Sequence, residues 1–203
     1  LFPGDILITN DPHMGTGHLP DISVCRPIFN GAKIIGFAAS TAHAPDIGGK
    51  IRSPEPREVF EEGLQIPPMK LYEKGEVNET LMSIIRQNVR VSDQVEGDLE
   101  AQLGALFTIN QRILQITDTY QLKDLSKLSA VICERTEQAV RSAIRGLPDG
   151  EYCSTVKTDG LADLPVEIKV LIKIAGTRWK QIFRGRLVKL IKQLIVPFAI
   201  HEQ

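Results

Sequence analysis

Several features that would settle the class of this 203-residue chain at once are missing from it. Its three cysteines, Cys25, Cys133 and Cys153, are far apart and form no C-x-x-C pair. Neither a disulfide framework nor a zinc-finger spacing can be read from them. The expectation is three reduced, buried thiols in a cytoplasmic protein. Neither sign of charge dominates: 24 Lys and Arg face 25 Asp and Glu, a formal net charge of -1. No basic run is present, so nothing suggests an electrostatic footprint for nucleic acid. No apolar stretch is long enough to span a bilayer, and the start shows no signal-peptide pattern. Also missing are Gly-x-Ser-x-Gly, a Ser-His-Asp order and a Walker phosphate loop. A familiar hydrolytic triad and P-loop binding of ATP therefore find no support within the chain.

What is present is concentrated near the start. Three of the four histidines lie within residues 1–43. Two of them sit in the phrases Gly17-His18-Leu19-Pro20-Asp21 and Ala42-His43-Ala44-Pro45-Asp46-Ile47-Gly48-Gly49. His18, Asp21 and His43 offer two imidazoles and a carboxylate, a set suited to zinc, manganese or iron that leaves room for water or substrate. The plainer reading is that both histidines cap strand ends and bond to backbone. His13 and Asp11 share the same glycine-bearing loop; Asp11-Pro12 favours a turn, and Gly15 and Gly17 permit close backbone approach. Asp46 either supports a ligand histidine or starts a turn. Glu61 and Glu62 are either acid–base groups or solvated surface. Asp98 and Gln102, one helical turn apart, either face a common site or lie on a helix surface.

The patterning predicts an α+β fold. Short β runs are expected at 5–9, 22–29 and 33–42, with Asn30-Gly31 as a hairpin turn and Pro27 at an edge or strand end. Residues 44–68 read as a loop rich in Pro, Gly and Glu, with one helical turn at Glu58–Glu62. Helical spacing runs from Asn78, a capping residue, to Leu147, and predicts two long helices paired as an antiparallel hairpin. After Pro148-Asp149-Gly150 the period changes to two, predicting a C-terminal β meander over 151–158, 165–175 and 178–183. Residues 1–77, 78–147 and 148–203 are the expected divisions: a β region with long functional loops, a helical segment, and a C-terminal β segment with an atypical tail. In that tail Leu187, Leu190, Ile191, Leu194 and Ile195 fall on one helical face, suited to a core or partner, or to a membrane surface.

Read together, Pro3-Gly4-Asp5, Thr9-Asn10-Asp11-Pro12, Gly17-His18-Leu19-Pro20-Asp21, Ala42-His43, Asp46-Ile47-Gly48-Gly49, Phe60-Glu61-Glu62-Gly63-Leu64-Gln65-Ile66-Pro67-Pro68, Asn88-Val89-Arg90 and Gly97-Asp98-Leu99-Glu100-Ala101-Gln102 occur in order. The chain resembles the hydantoinase B/oxoprolinase family over roughly residues 1–185 and 196–200. That family includes N-methylhydantoinase B subunits, the matching half of 5-oxoprolinase and acetone carboxylase α subunits.

The resemblance implies ATP-dependent hydrolysis of a cyclic amide of the hydantoin or 5-oxoproline type, in a hetero-oligomer whose hydantoinase A-type subunit holds ATP. The carboxylase relatives imply that His18, Asp21 and His43 hold a divalent metal. Glu62 is the expected proton carrier, Asp46 the residue orienting His43, and His13 a further catalytic candidate. Many relatives carry a second histidine where Ala44 stands, and Tyr or Trp where His13 stands.

The chain is far shorter than family members and begins at Leu1 without Met, so a fragment of a larger fold is expected. Residues 186–195 depart most from the family pattern. Their codons, read in another frame, return to it, which points to a pair of compensating frameshifts. The rival functions are an acetone carboxylase α-type role in ketone carboxylation and a truncated, non-catalytic remnant that only binds a partner.

Overall fold

The computed structural model describes residues 1–15, 17–50, 56, 58–161 and 164–184. The expected tail helix and the proposed frameshift at 186–195 both lie outside the described residues. The chain forms two compact units that meet in sequence between Leu125 and Ser126. The expected boundary at 77/78 falls inside the first unit. The first two helices belong with the N-terminal sheet, because that sheet's apolar face is what they bury.

In the first unit, β1 (Ile6–Thr9), β2 (Asp21–Asn30), β3 (Lys33–His43), β4 (Met69–Glu73) and β5 (Glu76–Val77) form one sheet in the order β3-β2-β1-β4-β5. All its pairings are antiparallel. Strands β4 and β5 have no counterpart among the elements expected from the patterning. They are short, and their turn is closed from elsewhere in the chain. Lys74 takes up φ +51° and Gly75 φ +95° in that turn, and the Lys74 amide donates to Asp5 Oδ1 at 2.8 Å.

Even-numbered residues of β2, and of β3 from Gly36 onward, turn toward the helices. Ile22, Val24 and Ile28 are buried on β2, opposite the small residues Ala42, Ser40 and Gly36 of β3. A row of small side chains lets a helix come close. α2 (Ser92–Thr119) packs there, burying Val95, Leu99 and Leu106. α1 (Glu79–Asn88) adds Leu81 and Ile85, and its first turn is capped by Asn78 Oδ1 accepting from the Leu81 amide at 3.1 Å. Each fully buried Leu or Ile contributes roughly 1.5–3 kcal/mol.

Helical spacing overstated the core in places. Ile84, Ile109 and Ile116 are exposed, at the margins of the stripes their helices bury. Pro27 sits where β2 has run past β1, whose last partner on that side is Cys25. There its missing N–H costs no ladder bond.

The second unit holds α3 (Ser126–Arg145) and a meander of β6 (Gly150–Leu161), β7 (Leu164–Ala175) and β8 (Arg178–Arg184), in the order β6-β7-β8. The helix lies alongside β8, and Arg141 Nη1 donates to Thr177 Oγ1 at 3.4 Å. The two long helices thus fall in different units. The expected buried thiols are also corrected: Cys25 is half-buried, while Cys133 on α3 and Cys153 on β6 are exposed, on elements whose surfaces are largely open. No described helix is long and apolar enough to cross a membrane.

Asp5 ties the edge of the first unit together. It is fully buried. It accepts from the Phe2 amide at 2.9 Å and the Lys74 amide at 2.8 Å, with Lys70 Nζ at 3.1 Å. Burial by itself would raise its pKa; the two amides and the lysine outweigh it and lower it to about 2. The unfolded chain therefore takes up this proton first as the solution is acidified, and stability falls from the ordinary carboxylate range down through about pH 2. In Asp5→Asn that acid-dependent slope should flatten, as read from urea midpoints measured between neutral pH and pH 2.

Candidate metal centre

The hairpin of β2 and β3 brings the two ends of the expected ligand set together. Asp21 opens β2, His43 closes β3, and the two are directly opposite in the ladder. Cross-strand partners share a face, so both project from the face opposite α2, next to the Ser23 Oγ–Thr41 Oγ1 hydrogen bond of 2.8 Å. His18 reaches the same point from the loop before β2. Its Nε2 lies 2.8 Å from Asp21 Oδ2, and His43 Nδ1 lies 2.9 Å from Asp21 Oδ1. The imidazole centroids are 5.1 Å apart. One donor atom from each residue lies within 4.8 Å of the other two.

Asp21 is largely covered while both imidazoles are about half exposed, so one side of the cluster is open to water. Around an ion with bonds of about 2.1 Å, neighbouring donors stand roughly 3–3.5 Å apart. Small side-chain rotations meet that requirement, with the carboxylate exchanging its imidazole bonds for the ion. The donor set therefore fits a divalent metal of the zinc, manganese or iron kind.

The backbone that carries these ligands is held at nearly every peptide. The Leu19 side chain is fully buried. Its amide donates to Glu62 Oε2 at 3.3 Å, and its carbonyl accepts from Asn10 Nδ2 at 2.9 Å. The Pro20 carbonyl accepts from the Ala44 amide at 2.8 Å. The Ile22 carbonyl accepts from Gln102 Nε2 at 3.1 Å, and the same nitrogen stands 3.4 Å from Ser40 Oγ. Gln102 is thus neither a surface residue nor a substrate-facing one: it is buried between α2 and the strands.

Glu62, expected as a proton carrier, lies against the residue that follows His18. It is placed there by a tight crossing of two loops. A Cβ at Gly49 would overlap the backbone of Glu62, and one at Gly63 would meet the Ile47 carbonyl, so glycine is required at both positions.

Two expected residues fall elsewhere. Asp46 does not orient His43. Its carboxylate is turned to the junction of α1 and α2, where it accepts from the Arg90 amide, from Arg90 Nη1 at 2.7 Å and from the Gly48 amide at 3.1 Å. The reason is charge: a buried carboxylate takes the nearest guanidinium and free amides. Burial would raise its pKa, and these donors outweigh that and hold it below the ordinary carboxylate range. Arg90 also donates to the Gly48 and Gly49 carbonyls, both at 2.9 Å.

His13 is exposed, and its amide closes an Asx turn on Asp11 Oδ1 at 2.8 Å. Its imidazole is not among the converging donors. Asn10 and Arg90 support the site without being legible as candidates in the sequence. Their only signal is position inside recurring phrases, since a lone Asn or Arg carries no spacing rule.

The hydantoinase B/oxoprolinase family profile matches residues 1–190. A protein of Pseudomonas sp. (strain NS671), provisionally named as the B component of a D-/L-hydantoinase, is 34% identical over 184 residues, covering 86% of this chain and 31% of that one. The 5-oxoprolinase of Saccharomyces cerevisiae is 30% identical over 219 residues, covering 98% and 17%. Among solved structures, the ATP-dependent caprolactamase from Pseudomonas jessenii superposes with a TM-score of 0.81 at 28% identity, covering 91% of this chain and 33% of that one. The chain spans about a third or less of the length of these relatives.

The clamp on the loop after His43 is open to test. Arg90→Ala leaves the buried Asp46 with backbone donors alone. It should lower unfolding stability by about 1–3 kcal/mol in urea titrations and speed proteolysis between residues 44 and 50.

Proposed function

The chain belongs to the hydantoinase B/oxoprolinase family, and from that premise we propose that it is part of the B-type half of an ATP-dependent enzyme hydrolysing a cyclic amide. His18, Asp21 and His43 hold a divalent metal at the centre of this reading. The observation that carries it is the convergence of two imidazole nitrogens on the two oxygens of one carboxylate, at 2.8 and 2.9 Å, on an open sheet face.

When bound, the metal supplies Lewis-acid polarisation of a carbonyl or a water of lowered pKa. The chain's own residues do the rest. Before an ion arrives, Asp21 turns one oxygen to each histidine and so holds both rings at the cluster. The open side of the cluster admits the amide. Proton transfer is assigned to Glu62, an assignment supported by its carboxylate accepting from the Leu19 amide beside His18. His13 has no role in this reading, and Asp46 serves only to hold the loop that follows His43.

Hydrolysis of an unstrained cyclic amide needs activation, and the chain has no phosphate loop. ATP is therefore assigned to a hydantoinase A-type partner. Two observations support a partner. One relative is named as one component of a larger enzyme. The second unit also exposes Val131, Ile132, Tyr152, Val156, Trp179 and Phe183, apolar side chains of the kind a partner covers.

His18→Ala and Asp21→Ala should each abolish both metal binding and ATP-dependent turnover of hydantoin or 5-oxoproline in the complex with the A-type partner. His13→Ala should retain the metal. Metal content by elemental analysis and product formation by chromatography are the two readouts. Full metal occupancy in His18→Ala would refute the ligand assignment. Consumption of a ketone and a carboxyl donor in place of the amide would move the chain to the carboxylase branch.

A further inference from the structure

Asn10 is the point where the two halves of the site are joined. It follows β1 directly and is 2% exposed. Its Nδ2 donates to the Leu19 carbonyl at 2.9 Å and to the Leu64 carbonyl at 2.8 Å, and its Oδ1 accepts from the Ile66 amide at 2.7 Å. Its own amide donates to the Ile66 carbonyl at 3.1 Å. Two carbonyls demand the NH₂ end and one amide demands the oxygen, so the partners themselves fix which way the side chain is turned.

Leu19 follows His18 directly, and Leu64 and Ile66 follow Glu62 by two and four residues. One short side chain therefore spans from the residue after a metal ligand to the segment that follows the acid–base candidate. Glu62 closes the ring by accepting from the Leu19 amide.

We propose that Asn10 is the positioning residue of this centre, setting His18 through Leu19 and Glu62 through Leu64 and Ile66. The inference rests on the metal reading above. It goes beyond that reading by giving a buried amide, which touches neither ion nor substrate, control over the distance between ligand and proton carrier. No other side-chain type fits. Aspartate keeps the length but loses both donors and presses a carboxylate on two carbonyls. Serine and alanine cannot span the gap. Outer partners of metal ligands act in this way by fixing geometry before the ion arrives.

The test uses calorimetric titration of the full, metal-free chain with Zn²⁺ and with Mn²⁺, beside urea unfolding of the same samples. Asn10→Asp should weaken the ion by about 10- to 100-fold. The control is Thr9→Val, which removes the neighbouring Thr9 Oγ1 bonds to the Ile66 carbonyl (2.9 Å) and from the Asp11 amide (3.0 Å) but no bond to Leu19. It should lower stability while leaving the dissociation constant within about threefold.

An unchanged constant in a folded Asn10→Asp chain overturns the proposal and leaves the metal site standing. Absence of saturable binding by the wild-type chain overturns the metal reading and the proposal with it. Should Asn10→Asp not fold, amide exchange in the wild-type chain decides. Saturating metal should slow exchange at Ile66, whose N–H ends on Asn10 and not on any ligand, by about tenfold. An unaltered rate at Ile66 overturns the proposal.

Discussion

The site depends on one irregularity in one hairpin. At the turn, Asn30 pairs with Lys33 and Phe29 with Ile34. Carried on without a break, that register would place Asp21 opposite Ala42. Between Ile28 and Phe29 the register shifts, leaving Ile35 as an extra residue on β3, and from there the ladder runs Ile28–Gly36 to Asp21–His43. A β-bulge of this kind moves every later partner by one position and turns each side chain of the bulged strand to the other face. Without it, His43 would point toward the helix side and Ala42 would face Asp21.

The same shift organises the rest of the first unit. It sends Gly36, Ala38, Ser40 and Ala42 toward α2, where small side chains allow close packing, and leaves Phe37, Ala39, Thr41 and His43 on the open side. The sheet is therefore asymmetric: one face is a core, the other a platform. Polar groups that cross between them do so under strict hydrogen-bond control. Gln102 reaches from α2 to the Ile22 carbonyl, and Asn10 reaches from β1 to three loop peptides. Buried amides of this kind are tolerated only when satisfied, and among the described residues no buried side-chain polar atom lacks a partner. Order at the His18 loop follows from that condition rather than from regular secondary structure, whereas Asp21 and His43 are carried by strands β2 and β3.

The second unit follows a different logic. α3 has no buried residue, although its sequence is amphipathic, and the meander leaves Tyr152, Val156, Trp179 and Phe183 exposed. Apolar patterning without burial is the mark of surfaces made to be covered. Such surfaces suit membership of a family in whose matched relatives this stretch is a third or less of the whole chain. The first unit, by contrast, closes its own core around Ile8, Leu19, Ile28, Leu71 and Leu106.

The sequence by itself determined most of the regular elements. Short β runs marked β1 to β3 and period-two runs β6 to β8, Asn78 marked a helix start, and the Asn30-Gly31 turn brought Asp21 and His43 to one end of a hairpin, because these signals are local. It also singled out His18, Asp21 and His43, since metal-ligating side chains are few and their types are distinctive. What only the tertiary structure decided is non-local. The short strands β4 and β5 are closed by Asp5, nearly seventy residues away in sequence. The bulge is visible only in the strand pairing, Asp46 is drawn to Arg90, and Asn10 is drawn to Leu19, Leu64 and Ile66. In the last two and at Asp5, a buried polar group finds its partner far along the chain, and periodicity carries no information about which partner that will be.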